Sequence, residues 1–434
     1  MQRYDTYKDS GVKWLGEIPG HWEMKRWRFL MSENTTKNTN CKERLQLQFR
    51  YGDIVRKVNQ SEESDVLDTI SKYTIVEPDD IMINGLNLNY DFISQRVAQV
   101  QERGVITSAY ISLRPTEIAN SRYFTYFLKS MDAKKMFHGM GTGIRLTLSY
   151  NELKNQFIPC PSPEEQTAIA NYLDTATAKI DTAIAQQQKM IDLLNERKQI
   201  IINRAVTRGL NPNAKMKDSG VEWIGEVPEH WEVRRLGSLG EFSKGGNISR
   251  DDLQEYGKCA ILYGDIYTKY NIQTSIAKNH ISEKTAEKSV RITKGDVLLT
   301  GSGETKEDIG KTIVYLGDEA FIGGDVILFR QQNNNSTFLS YALNSQYAKD
   351  YRYKESKGEI IVHIYASSLK RLFLALPPIE EQIKVVKYLD GQIDSIDSEI
   401  EVINNQISLL QERKQIIINE VVTGKVKIVI ISNQ

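Results

Sequence analysis

The heptapeptide ERKQIII occurs twice, at Glu196 to Ile202 and at Glu412 to Ile418, 216 residues apart, and each copy closes a long stretch of helical period. In the second stretch Leu389, Ile393, Ile396, Ile400, Ile403, Ile407, Leu410, Lys414 and Ile417 are spaced alternately by four and three residues, which is the seam of a helix packed along a partner helix. The first stretch carries Leu173, Thr177, Ile180, Ile184, Gln187, Ile191, Leu194, Lys198 and Ile201 at the matching places. Thr177 and Gln187 interrupt only the first seam, and polar seam residues can fix register at some cost in stability. The stretches run from about Glu164 to Val206 and from about Glu380 to Val422. As helices of about 40 residues, each would be roughly 60 Å long. Burial of one Leu or Ile is worth roughly 1.5–3 kcal/mol, so the two seams are expected to bury each other. Lys198 and Lys414, near the ends, are expected to lie where the rod meets a globular unit and to reach solvent.

The repeat extends beyond the helices. KDSGVKWLGEIPGHW, from Lys8 to Trp22, returns as KDSGVEWIGEVPEHW, from Lys217 to Trp231. Gly11, Gly16 and Pro19, with Gly220, Gly225 and Pro228, mark turns, and Trp14, Trp22, Trp223 and Trp231 read as apolar anchors of a connector. His21 and His230 have no carboxylate or Cys at metal-ligand spacing and read as structural. Between connector and helix, short β-prone runs alternate with turn clusters and one helical run, an α+β unit of about 140 residues. LQLQFRYGDIVRK from Leu45 is echoed by AILYGDIYTK from Ala260, each an apolar strand entering a Tyr-Gly-Asp-Ile turn. Prolines and the pairs Glu164-Glu165 and Glu380-Glu381 then set the helix starts, and Gly209 and Gly424 suit their ends. The resulting division is a connector over 1–22, a globular unit over 23–160, a helix over 161–207, a connector over 208–231, a globular unit over 232–376, a helix over 377–424 and a strand-like tail over 425–434.

Formal charge is zero, from 56 basic and 56 acidic residues, so any nucleic-acid surface must come from local arrangement. Cys41, Cys160 and Cys259 are odd in number and widely spaced, which points to reduced thiols with neither a zinc site nor a disulfide framework. No stretch reaches the length of a membrane span and the N-terminus has no export signal, so a cytoplasmic protein without membrane contact is expected.

No catalytic constellation stands out. HExxH, GxSxG and the aromatic-flanked Asn/Asp-Pro-Pro of an amino methyltransferase are absent. Gly301-Ser302-Gly303 with Gly310-Lys311 has the wrong spacing for a phosphate loop and reads as an ordinary loop, and the scattered Asp and Glu pairs read as solvated charge. What the loops offer is DNA-reading chemistry, because Arg, Lys, Asn and Gln can address base edges and phosphates. The candidates are Arg50, Lys57, Asn84, Asn87, Asn89 and Arg145 in the first unit, and Lys244, Asn247, Arg250, Lys269, Lys306 and Lys357 in the second.

The ordered combination of KDSGVxWxGExPxHW, PSPEEQ (Pro161 to Gln166), PPIEEQ (Pro377 to Gln382), the two ERKQIII ends and the VTRG and VTGK exits resembles the specificity subunits of type I restriction-modification systems, over nearly the whole chain. The resemblance implies an α+β chain of two globular α/β target recognition domains separated by two long antiparallel coiled-coil helices, a pseudo-twofold internal repeat. It implies double-stranded DNA as ligand, with each domain reading one half of a bipartite, asymmetric site. It also implies two modification subunits that methylate adenine with S-adenosylmethionine, and two restriction subunits that can join with ATP and Mg; this chain itself would bind no cofactor and catalyse nothing. The residues alone leave open a coiled-coil scaffold whose globular units bind protein.

Overall fold

The computed structural model describes residues 2–58, 64–93, 95–143, 146–305, 308–358 and 361–428. The chain divides into two units, residues 1–187 with 404–434 and residues 188–403. Each unit holds a mixed α/β domain and one stretch of each long helix. The helices span Pro163–Arg208 and Ile379–Val422. The first begins where the Ser162 hydroxyl accepts from the Glu165 amide at 3.3 Å, with Pro163 in the first turn, where a missing N–H costs nothing. Gly209 and Gly424 end the helices at φ +70° and +71°, the left-handed conformation that glycine adopts without strain.

Both domains are built on the same antiparallel sheet. In the first unit its order is Met31–Glu33, Ile111–Pro115, Ile81–Ile83 and Val97–Gln99. In the second unit these places are taken by Glu241–Lys244, Val326–Arg330, Val297–Thr300 and Thr312–Tyr315, and Gln273–Thr274 adds a strand parallel to the last. The carboxylates of Asp80 and Asp296, 216 residues apart, grip Arg114 and Arg330 on the neighbouring strand at 2.6–2.8 Å. These aspartates are buried, so the reading of all such acids as solvated charge is wrong here; each ties a turn to a strand.

Beyond this sheet the units diverge. The first has the hairpin Leu47–Arg50 with Asp53–Arg56 and the pair Thr74–Val76 with Gly104–Ile106, joined by a single parallel bridge from Gln46 to Val105. The second has a five-stranded sheet ordered Leu253–Gln254, Asn279–Ile281, Lys258–Ile261, Glu319–Ile322 and Val290–Thr293. The Tyr-Gly-Asp-Ile echo breaks there. It forms the hairpin turn in the first unit, with Tyr51 at φ +52°, but opens the helix Tyr263–Thr268 in the second, because Asp265 accepts from the Leu262 amide at 2.8 Å and caps it. The helical run from Phe338 likewise divides, into Ser336–Leu343 and Gln346–Glu355.

In each unit a domain helix, Ser121–Ala133 in the first and Ser336–Leu343 in the second, lies against the long helices. In the first unit the side chains of Arg122 and Tyr126, on the helix Ser121–Ala133, reach Asp174 at 2.6 and 2.9 Å, while Tyr123 donates to the Val422 carbonyl at 3.1 Å and Ser130 to Asn419 at 2.9 Å. Arg122 also reaches Asn171 at 2.9 Å and the Tyr126 hydroxyl lies 3.2 Å from that of Thr177, so contact with the first long helix advances in step with this helix while contact with the second runs backward, and the two stretches are antiparallel. Of the seam residues, Leu173, Ile180, Ile191, Leu194, Leu389, Ile393, Ile396 and Ile417 are buried, and Ile184, Ile201, Ile400, Ile403, Ile407 and Leu410 are half-buried. Thr177 turns its hydroxyl back to the Leu173 carbonyl at 2.7 Å.

Lys198 and Lys414 do not end in open solvent. In the second unit Lys198 crosses to Asp397 at 2.6 Å, and in the first Lys414 crosses to Asp181 at 2.7 Å. Asp181 and Asp397 are themselves 216 apart, so the repeat supplies both partners of both pairs. Pairs this exposed contribute about 0–1 kcal/mol each; they select register more than they stabilise.

The connectors close onto the helix exits. Trp22 and Trp231 are fully buried, and a Cβ on Gly424 or Gly209 would lie 3.0 or 3.1 Å from their rings. Trp14 is half-buried against Phe127 and Trp223 is 43% exposed beside Tyr351, so only the second Trp of each connector is a full anchor. The Lys427 amide donates to the Gln2 carbonyl at 2.9 Å, and residues 429–434 of the expected tail lie outside the described residues.

The glutamine that ends each of PSPEEQ and PPIEEQ links long helix and domain through the backbone. Gln166 accepts from the Asn120 amide at 2.8 Å and donates to Pro161 at 2.9 Å; Gln382 accepts from the Asn335 amide at 2.8 Å and donates to Pro377 at 2.9 Å. Asn120 and Asn335 are the N-caps of the domain helices Ser121–Ala133 and Ser336–Leu343. Gln166→Ala would orphan buried partners, each worth about 1–3 kcal/mol. Urea titration is expected to show at least that loss, and Gln382→Ala a similar one; a change below about 0.5 kcal/mol in both would show that the anchor contributes little.

Candidate nucleic-acid interface

In the second unit a cleft of about 790 Å³ gathers Lys244, Asn247, Arg250 and Lys269, four of the six candidates read there. Backbone geometry sets its floor. A Cβ on Gly245 would strike the Gly323 carbonyl, and one on Gly246 would come within 2.7 Å of Ser289, so only glycines let the chain leave Lys244 on this path. Ser249 then donates to the Asp252 carboxylate from both its amide and its hydroxyl, each at 2.8 Å, which fixes the turn Arg250–Asp252 and with it Arg250 at the rim. Lys269 follows the short helix Tyr263–Thr268, its ammonium 2.7 Å from Asp265 and 3.2 Å from Asn279. Lys244 stands 3.8 Å from Asp325 with its side chain 75% exposed.

The cleft is therefore mixed in charge. Asn247 supplies a paired donor and acceptor, Asn279 is held between Lys269 and Asp265, Lys244 and Arg250 supply exposed cations, and Tyr263 and Tyr267 supply ring faces 6.2 Å apart. Burial pushes the Tyr267 phenol above its ordinary value, so it remains a neutral hydrogen-bonding group at physiological pH. Behind it Lys311 donates to the Tyr270 carbonyl at 2.9 Å, its pKa lowered by burial; this lysine of the rejected phosphate-loop pattern holds a backbone turn. A smaller cavity of about 260 Å³ shares Lys244 and Asp325 with the cleft, and in it the Ser302 hydroxyl is 2.8 Å from His363 Nδ1. Lys357 lies apart from the main cleft, in a turn whose backbone pairs with His363 at 2.8 and 2.9 Å.

In the first unit the candidates fall in two places. Arg50 stands over the Tyr51 ring at 5.4 Å on the hairpin tip, and Lys57 is exposed just after the hairpin. Asn84, Asn87 and Asn89 share the loop that leaves the central strand Ile81–Ile83. Asn84 is spent on the loop itself, accepting from the Leu86 amide at 3.1 Å, while Asn87 is exposed at φ +54°. A Cβ on Gly52 of the hairpin turn would overlap the Gln95 side chain, so hairpin tip and loop adjoin. Arg145 and Lys306 lie outside the described residues. Sequence reasoning passed over Tyr263, Tyr267 and Asn279 in the cleft; aromatic residues interleaved with amides in polar loops were the available signal.

Among the described residues no three His, Cys, Asp or Glu side chains gather as metal ligands, and no helix is long and apolar enough to cross a membrane. A family model described as the type I restriction modification DNA specificity domain matches residues 58–191 and again 228–409. The chain belongs to this family. It is 26% identical over 374 residues to the type I restriction enzyme MjaVIII specificity subunit of Methanocaldococcus jannaschii, covering 82% of this chain and 81% of that one. To the StySPI specificity subunit of Salmonella potsdam it is 23% identical over 325 residues, 72% of this chain and 67% of the relative. A solved structure described as the basis of complex assembly and conformational transition of the type I R-M system shares the fold, with TM-score 0.70 at 14% identity over 94% of this chain and 99% of that one.

If the cleft holds a phosphate backbone, Lys244→Ala with Arg250→Ala should weaken duplex binding and lower the slope of log K against log salt by up to about 2. Fluorescence anisotropy of the assembled complex across a salt series reads this. An unchanged slope would place both cations outside the interface.

Proposed function

We propose that this chain is the DNA-specificity subunit of a type I restriction-modification complex, a recognition subunit that performs no chemistry of its own. The observation that carries the reading is the pattern of likeness and difference between the units. The connector, helix start, seam and sheet are shared down to the Asp80–Arg114 and Asp296–Arg330 pairs, whereas the hairpin of one unit and the five-stranded sheet of the other are not. Shared parts suit identical partners and dissimilar parts suit dissimilar DNA. Each domain reads one half of a bipartite site, and the two halves differ because the readers differ.

The partners follow from the shared parts. Leu193 and Ile200 on the first long helix recur 216 residues later as Leu409 and Ile416 on the second, and all four are 47–64% exposed. An apolar pair off the seam in each unit supports two equivalent docking surfaces, one per modification subunit. Those subunits bind S-adenosylmethionine and methylate adenine; restriction subunits, when present, bring ATP and Mg. The work is done in the cytoplasm, on double-stranded DNA.

Mapping of methylated adenine in host genomes with and without this gene is the test. The expected result is a gene-dependent methylated motif of two unlike halves separated by unread base pairs. Methylation that is independent of the gene, together with a purified complex that binds all duplexes alike, would reject the reading and favour a protein-binding scaffold.

A further inference from the structure

Each unit spends a fully buried arginine on the loop that leaves its central strand. In the first unit Arg96 donates through its guanidinium to the carbonyls of Asn84 at 3.0 Å, Leu86 at 2.7 Å and Asp91 at 2.7 Å. In the second, Arg352 donates to Ile309 at 3.2 Å and to Leu343. These arginines are not equivalents in the repeat: Arg96 begins the return of the loop, while Arg352 lies on the helix Gln346–Glu355. Taking a guanidinium out of water is costly unless its donors are satisfied. Arg96 holds three carbonyls of its loop and so fixes that loop's shape, whereas Arg352 ties one loop carbonyl, that of Ile309, to the end of the helix Ser336–Leu343.

What the first of these loops presents is unusual for a solvent-facing surface. Tyr90 is 78% exposed and Ile93 is 94% exposed, beside exposed Asn87. The Tyr90 and Asp91 amides both donate to the Asn87 carbonyl at 3.2 Å, and His138 donates to or stacks on the same segment, Nε2 lying 3.1 Å from the Asp91 carbonyl and its ring 4.7 Å from that of Phe92. The Arg96 amide donates to Asp132 on the domain helix Ser121–Ala133 at 2.7 Å, and that helix is bound to the second long helix through Ser130 and Tyr123. The loop is thus positioned from the seam outward, with Tyr90 and Ile93 exposed. The arginine fork lies beneath the loop, and the Asp91 carboxylate is 3.7 Å from it, so the tip presents amide and apolar groups with little net charge, chemistry suited to base edges more than to phosphates.

We propose that the loop from Asn87 to Ile93 is the base-contacting element of the first unit, with Asn87 at a base edge, Tyr90 and Ile93 packed on the adjoining bases, and Arg96 as the positioning residue. This rests on the DNA-specificity reading above. The test uses the complex assembled with its modification subunits, and duplexes carrying the mapped motif intact, with one half scrambled, or with the other half scrambled. Wild-type complex is expected to discriminate at both halves. Tyr90→Ala with Ile93→Ala, surface changes that leave the fold intact, should lower discrimination at one half about 10- to 100-fold, leaving the other half and the salt slope unchanged. Asn247→Ala with Arg250→Ala should affect the opposite half. Arg96→Lys, which keeps the charge but loses the planar fork, should reproduce the first-half loss with second-half discrimination intact, a split that unfolding would not produce. Full first-half discrimination in the Tyr90/Ile93 variant would overturn the proposal, as would equal losses at both halves. A wild-type complex that selects no sequence would instead overturn the DNA-specificity reading beneath it.

Discussion

The structure depends on one constraint, the need of two long apolar seams to be covered along their length. A helix that leaves Leu173, Ile180, Leu389 and Ile396 in water forfeits several kcal/mol. Around Leu173, Ile180 and Leu389 the partner helix and the domain helix share the cover. The domain helix is therefore part of the seam's cover as well as part of its own domain, and the side chains that bridge the two, Asp174 with Tyr126 and Asp390 with Tyr341, form short hydrogen bonds at 2.9 and 2.6 Å. Burial, and then the carboxylate, pushes both phenols upward, so they stay protonated donors. Removing the seam would remove the support of the domain.

From that support the order runs outward. Gln166 and Gln382 fix the N-caps of the domain helices, the helices pack on the central sheet, Arg96 fixes the loop that leaves it in the first unit, and Arg352 holds one carbonyl of the loop in the second. A changed anchor costs the placement of everything beyond it.

How much of this was legible in the sequence follows from what each signal measures. The long helices were, because ERKQIII and the four-three spacing report a burial pattern that holds over 40 or so residues. The candidates in the cleft were legible as residue types, and Lys244, Asn247, Arg250 and Lys269 do converge. Their convergence was not, since it arises from close approaches at Gly245 and Gly246 that no periodicity encodes. The second Tyr-Gly-Asp-Ile was misread because the same tetrapeptide can end a strand or start a helix, and only the cap from Asp265 to the Leu262 amide decides. The ion pairs of Lys198 and Lys414 were not legible for a related reason: both lysines keep partial exposure, and the carboxylate partner of each lies on the other helix, far away in sequence. Arg96 carried no signal at all, as its value comes from three loop carbonyls.

The central claim is that two unlike readers, each held by the same framework, address different halves of one DNA site. Photo-crosslinking tests it most directly: duplexes with 5-iodouracil placed at successive positions of the methylated motif, bound by the assembled complex, with crosslinked peptides identified by mass spectrometry. The account predicts that one half of the motif crosslinks to the first unit, around residues 84–93, and the other half to the second, around residues 244–269. Crosslinks from both halves to the same unit, or to the exposed faces of the long helices alone, would contradict it.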